Sequence, residues 1–252
     1  MTEGSVPLAD IASWLDERLR IAAFDEPGAN GLLIDGPREI ALVAAAVTTS
    51  YAAIEAASRA GAQLLLTHHP AWERFDLEHA ERKRGLLRER GLAHYAAHSS
   101  LDGAPEISNS DGLAAAAGVR VERRFLAYCG GLAGVVGTCD GTFAQLVARL
   151  RGSLGPEVQA WENAPRFGTV AVASGRADAA AAIAEAKGLG ADTYITGEGT
   201  MWTKLYARES GVNLVFGTHH LTETFGVRSL AALLEQRFGV RTTFVEAEAD
   251  LH

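Results

Sequence analysis

The stretch Val43 to Thr67 reads VAAAVTTSYAAIEAASRAGAQLLLT, and Val170 to Thr196 reads VAVASGRADAAAAIAEAKGLGADTYIT. Each is an apolar run, a polar turn, an alanine-rich amphipathic segment, a Gly-Ala pair and a second apolar run ending in threonine. Two runs of strand length joined by a segment of helical period predict a β-α-β unit, whose strands are parallel. The spacing from Gly61 to Thr67 equals that from Gly190 to Thr196. Each copy continues through a charged or polar helix into another strand that ends in histidine. An acidic residue follows four positions later, giving His98 with Asp102 and His219 with Glu223. The matched order of polar strand ends predicts an internal duplication.

Outward from these copies the alternation persists. Leu8, Ile11, Leu15 and Leu19 mark one face of a helix that starts after Ser5 and Pro7. Pro27 to Gly36 reads as a loop interrupted by a short extended piece. Ile40 to Val47 is a buried strand, Ser50 to Ala60 a helix, Gln63 to Thr67 a strand, Leu77 to Arg90 a charged helix and Ala93 to Ala97 a strand. From Arg120 to Gln159 strands crowd around Gly130, Gly131, Gly134, Gly137 and Gly141, with one helix near Phe143 to Leu150. The expected fold is therefore α/β: two pseudo-repeated halves with mixed, mainly parallel sheets covered by helices, and a β-rich connecting segment. The chain reads as a single domain, with a first half of about residues 1–125, a connecting part of about 126–165 and a second half of about 166–252.

With 252 residues, 48% hydrophobic and 21% charged, the composition excludes a disordered tail, a collagen-like fibre and a coiled-coil rod. Lys plus Arg number 23 against 31 Asp plus Glu, a formal charge of −8. That balance works against nucleic acid as a partner, because non-specific affinity comes from neutralising phosphates. Cys129 and Cys139 are too few for a disulfide framework and match no zinc spacing, so two reduced thiols are expected. The N-terminus carries no secretory pattern, and no apolar run reaches the roughly 18 residues that span a bilayer. These features place the protein in the cytoplasm, away from membranes.

The unusual polar residues gather where strands end, the edge at which open α/β sheets bind ligands. Thr67-His68-His69-Pro70 follows Leu64-Leu65-Leu66; His98-Ser99-Ser100-Leu101-Asp102 follows Ala93 to Ala97. Thr196-Gly197-Glu198 follows Tyr194-Ile195, and His219-His220-Leu221-Thr222-Glu223 follows Leu214 to Gly217. Imidazole and carboxylate together suit Zn, Mn or Fe. If a helix begins near Leu221, His219 and Glu223 lie one turn apart and can meet at one ion. Adjacent histidines on a strand face opposite ways, whereas a bend before Pro70 lets His68 and His69 both turn inward. A centre of imidazoles and two carboxylates, with a carboxylate bridging two cations, is chemically sensible and would lie at the strand C-terminal ends between the halves.

Other residues carry plainer readings. His79, His94 and His252 are expected on the surface or hydrogen-bonded in the core, and His220 as an outer donor to the centre or a structural residue. Trp202 and Tyr206, four apart, are expected to pack. There is no dinucleotide fingerprint and no P-loop, and Ser99-Ser100 lies in no G-x-S-x-G elbow.

The same residues resemble the Nif three-like dinuclear metal centre family, also called GTP cyclohydrolase 1 type 2 homologues. The matching motifs are NGLLIDG at Asn30 to Gly36, LLLTHHP at Leu64 to Pro70, HSSLD at His98 to Asp102, DTYITGE at Asp192 to Glu198 and GTHHLTETFGVRSLAALL at Gly217 to Leu234. The length looks like the short bacterial form. The resemblance implies two divalent metal ions per subunit held by His68, His69, Asp102, His219 and Glu223. It makes His98 a polar neighbour of the metals rather than a ligand, and implies a hexameric ring with the metals facing inward. Many relatives carry Trp-Asp-Asn where this chain has Gly28-Ala29-Asn30, and a histidine where it has Gly199-Thr200-Met201-Trp202. Neither departure removes an expected ligand.

The chemistry expected of such a centre is metal-dependent hydrolysis of a small molecule, with a nucleotide or purine ring suggested by the family name. His98 and Glu198 are the candidate proton shuttles. The alternative is a non-catalytic, ring-shaped metal-binding scaffold or metal carrier.

Overall fold

The computed structural model describes residues 4–248, so the reading of His252 falls outside the described residues. The chain forms two compact units. Among the described residues the first comprises 4–104, 129–131 and 226–248, and the second 105–128 and 132–225.

The first unit holds a five-stranded sheet in the order Arg241–Phe244, Leu42–Thr48, Leu64–His69, Ala93–Ala97, Asn30–Ile34. The first four strands are mutually parallel; Asn30–Ile34 lies antiparallel at the edge, with a bulge between Leu32 and Ile34. Parallel strands need helical crossovers on the sheet faces, so the central strands are buried along nearly their whole length. Helix Tyr51–Arg59 starts where the Ser50 hydroxyl accepts the Ala53 N–H at 3.0 Å, and lays Ala53, Ile54 and Ala57 on Ala44, Ala46 and Leu65. Helix Glu78–Glu89 makes the next crossover and buries Leu87. The strand expected to stop at Thr67 runs two residues further, because His69 pairs in register with Thr48. The extended piece expected inside the Pro27 to Gly36 loop is the edge strand Asn30–Ile34.

The second unit holds a six-stranded sheet in the order Val119–Tyr128, Gly131–Cys139, Thr169–Val172, Thr193–Thr196, Asn213–Phe216, Gln159–Trp161. Its three central strands, Thr169–Val172, Thr193–Thr196 and Asn213–Phe216, are parallel and flanked by antiparallel neighbours. Helix Phe143–Leu154, opened by a Thr142–Gln145 capping box, packs Leu146 and Leu150 with Val170, Val172 and Ile195. Ala182, Ile183 and Ala207, from helices Ala180–Gly188 and Met201–Ser210, pack with Ala171, Tyr194 and Leu214. Tyr206 joins that cluster. Trp202, expected to pack, is instead 69% exposed, because it sits in the first turn of a helix whose buried residues are Thr203 and Ala207.

Both units thus carry a run of strand, helix, strand, helix, strand in chain order, and in both the third parallel strand is backed by an antiparallel edge strand. The third strands are followed by one-turn helices, Ser99–Asp102 in one unit and His219–Thr222 in the other. Mixed sheets with parallel centres and helical covers make this an α/β fold. Cys129 and Cys139 are both thiols. Among the described residues, no helix is long and apolar enough to cross a membrane.

Candidate metal centre

In the first unit the carboxyl ends of three neighbouring parallel strands bring the polar groups together. His68 is fully buried, and its Nδ1 lies 2.8 Å from the carbonyl oxygen of Ala97 on the adjacent strand. A backbone carbonyl can only accept, so Nδ1 carries a proton, and in the neutral ring Nε2 keeps its lone pair. That Nε2 is 3.8 Å from Asp102 Oδ1. His69 is fixed from the other neighbouring strand: Thr48 Oγ1 lies 3.0 Å from its Nδ1, and Thr49 Oγ1 donates to its carbonyl at 2.8 Å. Both imidazoles lie within strand Leu64–His69, which continues through the point where a bend was expected, and their ring centroids are nevertheless 4.8 Å apart. The His98 ring lies 4.8 Å from that of His68, and ligand atoms of His68, His69 and His98 all fall within 4.8 Å of one another.

The support beneath His98 comes from residues that sequence reasoning missed. Glu26 takes the His98 Nδ1 between its oxygens at 2.8 and 3.0 Å, and also accepts the Ser99 N–H at 3.2 Å. Burial alone would push the Glu26 carboxyl up, but the His98 imidazole and the Ser99 donor outweigh it and hold it down at about 2. Asn30 Oδ1 accepts the backbone N–H groups of His98 and Ser100 at 2.9 and 3.1 Å, and Asn30 Nδ2 donates to Ser99 Oγ at 3.1 Å. It thereby satisfies donors at the start of the helix that ends in Asp102. Asn30 stood in a recognised motif without a role; for Glu26 no local signal existed.

In the second unit His219 lies between two carboxylates. Its Nδ1 is 2.9 Å from Glu198 Oε1, and its Nε2 is 3.2 Å from Glu223 Oε2, one helical turn away. Burial would lower the His219 pKa, but Glu223, one of its two carboxylate partners, and then Glu198 outweigh it and raise the value to about 9. Glu223 is buried, at 4% exposure. His219 follows Thr218, whose φ of 65° and ψ of 149° are strained for a β-branched residue. The strain is held by the Thr218 hydroxyl accepting the Leu221 N–H and by Thr222 Oγ1 donating back to the Thr218 carbonyl at 2.8 Å. His220 follows on the same turn.

These donors fit divalent cations. The first unit offers three clustered imidazoles beside Asp102, and the second an imidazole flanked by a buried and an exposed carboxylate. Gly175 leaves space beside the latter pair: at φ of 62° its backbone approaches so closely that a Cβ there would collide with Glu223 Oε1. A mixed set of imidazole and carboxylate donors is that of Zn, Mn or Fe sites. His79 bonds Tyr51 near the surface, at 3.2 Å, and His94 is buried in hydrogen bonds to Thr49 and Thr67; neither joins the donor clusters.

A family model described as Duf34/NIF3 (NGG1p interacting factor 3) matches residues 6–250. A relative from Deinococcus radiodurans, named GTP cyclohydrolase 1 type 2 homolog, is 37% identical over 251 residues, covering 96% of this chain and 94% of its own. Another of that name from Archaeoglobus fulgidus is 30% identical over 247 residues, covering 97% and 99%. Among solved structures, protein ybgI, described as of unknown function, matches with a TM-score of 0.86 at 25% identity, covering 95% of this chain and 98% of that one.

Proposed function

The chain belongs to the Duf34/NIF3 family, and from that premise we propose that it is a dinuclear, divalent-metal-dependent hydrolase acting on a nucleotide or purine ring. His68, His69 and Asp102 from the first unit and His219 and Glu223 from the second are the ligands in this reading. The observation that carries it is the buried His68, whose Nδ1 proton is committed to the Ala97 carbonyl at 2.8 Å, clustered with His69 and His98. A histidine locked in one tautomer by a carbonyl is the usual arrangement behind a metal ligand. When bound, two such cations supply Lewis-acid polarisation of a carbonyl, ring carbon or phosphoryl group and acidify water toward neutrality.

The chain's own residues orient ligands and move the proton. Glu198, at 2.9 Å from His219 Nδ1, fixes that ring, so His98 fits the proton-carrying role better. His98 is steadied at Nδ1 by Glu26 and exchanges its proton at Nε2. Nucleotide-directed chemistry rests on the relatives' name, GTP cyclohydrolase 1 type 2 homolog. Assembly as a hexameric ring, cytoplasmic location and a Zn, Fe or Mn pair belong to the same reading.

Elemental analysis of Asp102→Asn and His219→Ala tests the ligand set: both should lose most of the metal carried by the parent, and full occupancy in both rejects the assignment. With metal loading verified, chelation should abolish turnover in a nucleotide screen and added metal should restore it. Stable metal binding without turnover of any nucleotide would favour the carrier or scaffold.

A further inference from the structure

The most exposed large apolar side chains among the described residues are Phe75, Leu77, Met201 and Trp202, at 65, 69, 66 and 69%. All four lie on segments that leave the second parallel strand of their unit. In the first unit that segment is Ala71-Trp72-Glu73-Arg74-Phe75-Asp76-Leu77, directly after the histidine pair. It is firmly held. Asp76 accepts the Trp72 N–H at 3.1 Å and is itself gripped at 2.6 Å by the buried ammonium of Lys83. Arg84 donates to the Ala71 carbonyl at 3.3 Å and pairs with Glu73 at 2.7 Å. Leu77 adopts φ of 48° and ψ of −126°, a costly backbone for a residue with a side chain.

The anchored segment presents two aromatic rings and a cation. Trp72 meets the His98 ring edge-on at 4.5 Å, and the Phe75 ring lies 5.4 Å from that of Trp72. The Arg74 guanidinium stands 4.5 Å from the Phe75 centroid and 5.6 Å from that of Trp72, and makes no ion pair among the described residues. Apolar and aromatic surface held out on a hydrogen-bonded, strained segment, with a cation beside it and the imidazole cluster adjacent, fits a binding site better than a solvated turn.

We propose that Trp72, Arg74 and Phe75 form the recognition platform for a nucleotide, stacking its base and pairing its phosphate beside the candidate metal centre. The proposal rests on the hydrolase reading for its ligand class and adds the residues that select it. Aromatic faces stack bases of any sequence, and the guanidinium fork matches phosphate oxygens. Because Trp72 touches His98, a base on the platform sets the rest of the ligand toward the imidazoles.

Titration calorimetry of the full-length, metal-loaded protein with guanosine 5′-monophosphate, and with ribose 5-phosphate as the ring-less control, tests this. Phe75→Ala should weaken nucleotide binding about tenfold and leave ribose phosphate binding unchanged, whereas Arg74→Gln should weaken both. Sedimentation coefficients should match the parent. Parent-like nucleotide binding by Phe75→Ala, or no nucleotide binding by the parent, overturns the platform. A shifted sedimentation coefficient also overturns it, by assigning Phe75 to a contact with a second copy. Metal content is read on the same samples. Protein that takes up no metal on loading yet binds nucleotide through Phe75 upholds the platform while rejecting the hydrolase reading, and fully loaded protein indifferent to Phe75 overturns the platform while leaving the hydrolase reading standing.

Discussion

Burial strips His94 of its charge. The ring lies within the first sheet, its Nε2 at 3.0 Å from Thr49 Oγ1 and 2.9 Å from Thr67 Oγ1, and desolvation pushes its pKa from 6.5 down to about 4. The unfolded chain therefore takes up a proton that the native chain refuses. Stability from this source is complete above about pH 6.5, falls as the pH drops from there to about 4, and changes no further below. The displacement corresponds to about 3 kcal/mol. Urea midpoints of metal-free protein should fall across that window, and His94→Gln should flatten the fall; an equal slope in both proteins would exclude His94 as the source. The sequence reading of a surface or hydrogen-bonded core histidine fits, and the sheet determines that it is the core.

At the scale of elements, the strand ends were legible because each follows an apolar run whose length and β-rich content mark it as buried, as at Leu64-Leu65-Leu66 before His68. What lay beyond reading was the support across the fold. Asn30 reaches His98 and Ser100 across 68 and 70 residues of chain, and Glu26 reaches His98 across 72, distances over which periodicity carries no information. The edge strand Asn30–Ile34 brings Asn30 opposite Ala97, one residue before His98. Removing that acceptor leaves the N–H groups of His98 and Ser100, at the start of the Ser99–Asp102 turn, without their partner. Asn30→Ala should accordingly cost about 1–3 kcal/mol in urea unfolding and lower metal affinity by loosening Asp102. Asn30→Asp, which keeps an acceptor, should lose much less stability. Equal losses in the two variants would mean that the acceptor is not the source.

For the whole molecule, cation binding and folding are coupled wherever ligands must shed protons. His219, held protonated up to about pH 9 by Glu223 and Glu198, must release that proton to become a ligand. Divalent metal at a hundred times its dissociation constant should stabilise the protein by about 2.7 kcal/mol, which scanning calorimetry would register as a rise of several degrees at roughly 2–4 °C per kcal/mol. The rise at fixed metal concentration should be larger at pH 8 than at pH 6. A pH-independent rise would remove His219 from the ligand set.

Strand Arg241–Phe244 pairs with Leu42–Thr48, although some two hundred residues separate them. A ribosome delivers the chain from its N-terminus, so Leu42–Thr48 emerges some two hundred residues before its partner strand and waits meanwhile with one side unpaired. Unpaired strand edges recruit other chains. Nascent chains stalled before residue 240 should remain open to protease between residues 42 and 97, whereas those released after residue 248 should resist; equal resistance would show that the last strand is dispensable. Truncating the chain or fusing partners close to Phe244 thus bears on yield, since the closing stitch of the first sheet is made long after its other strands.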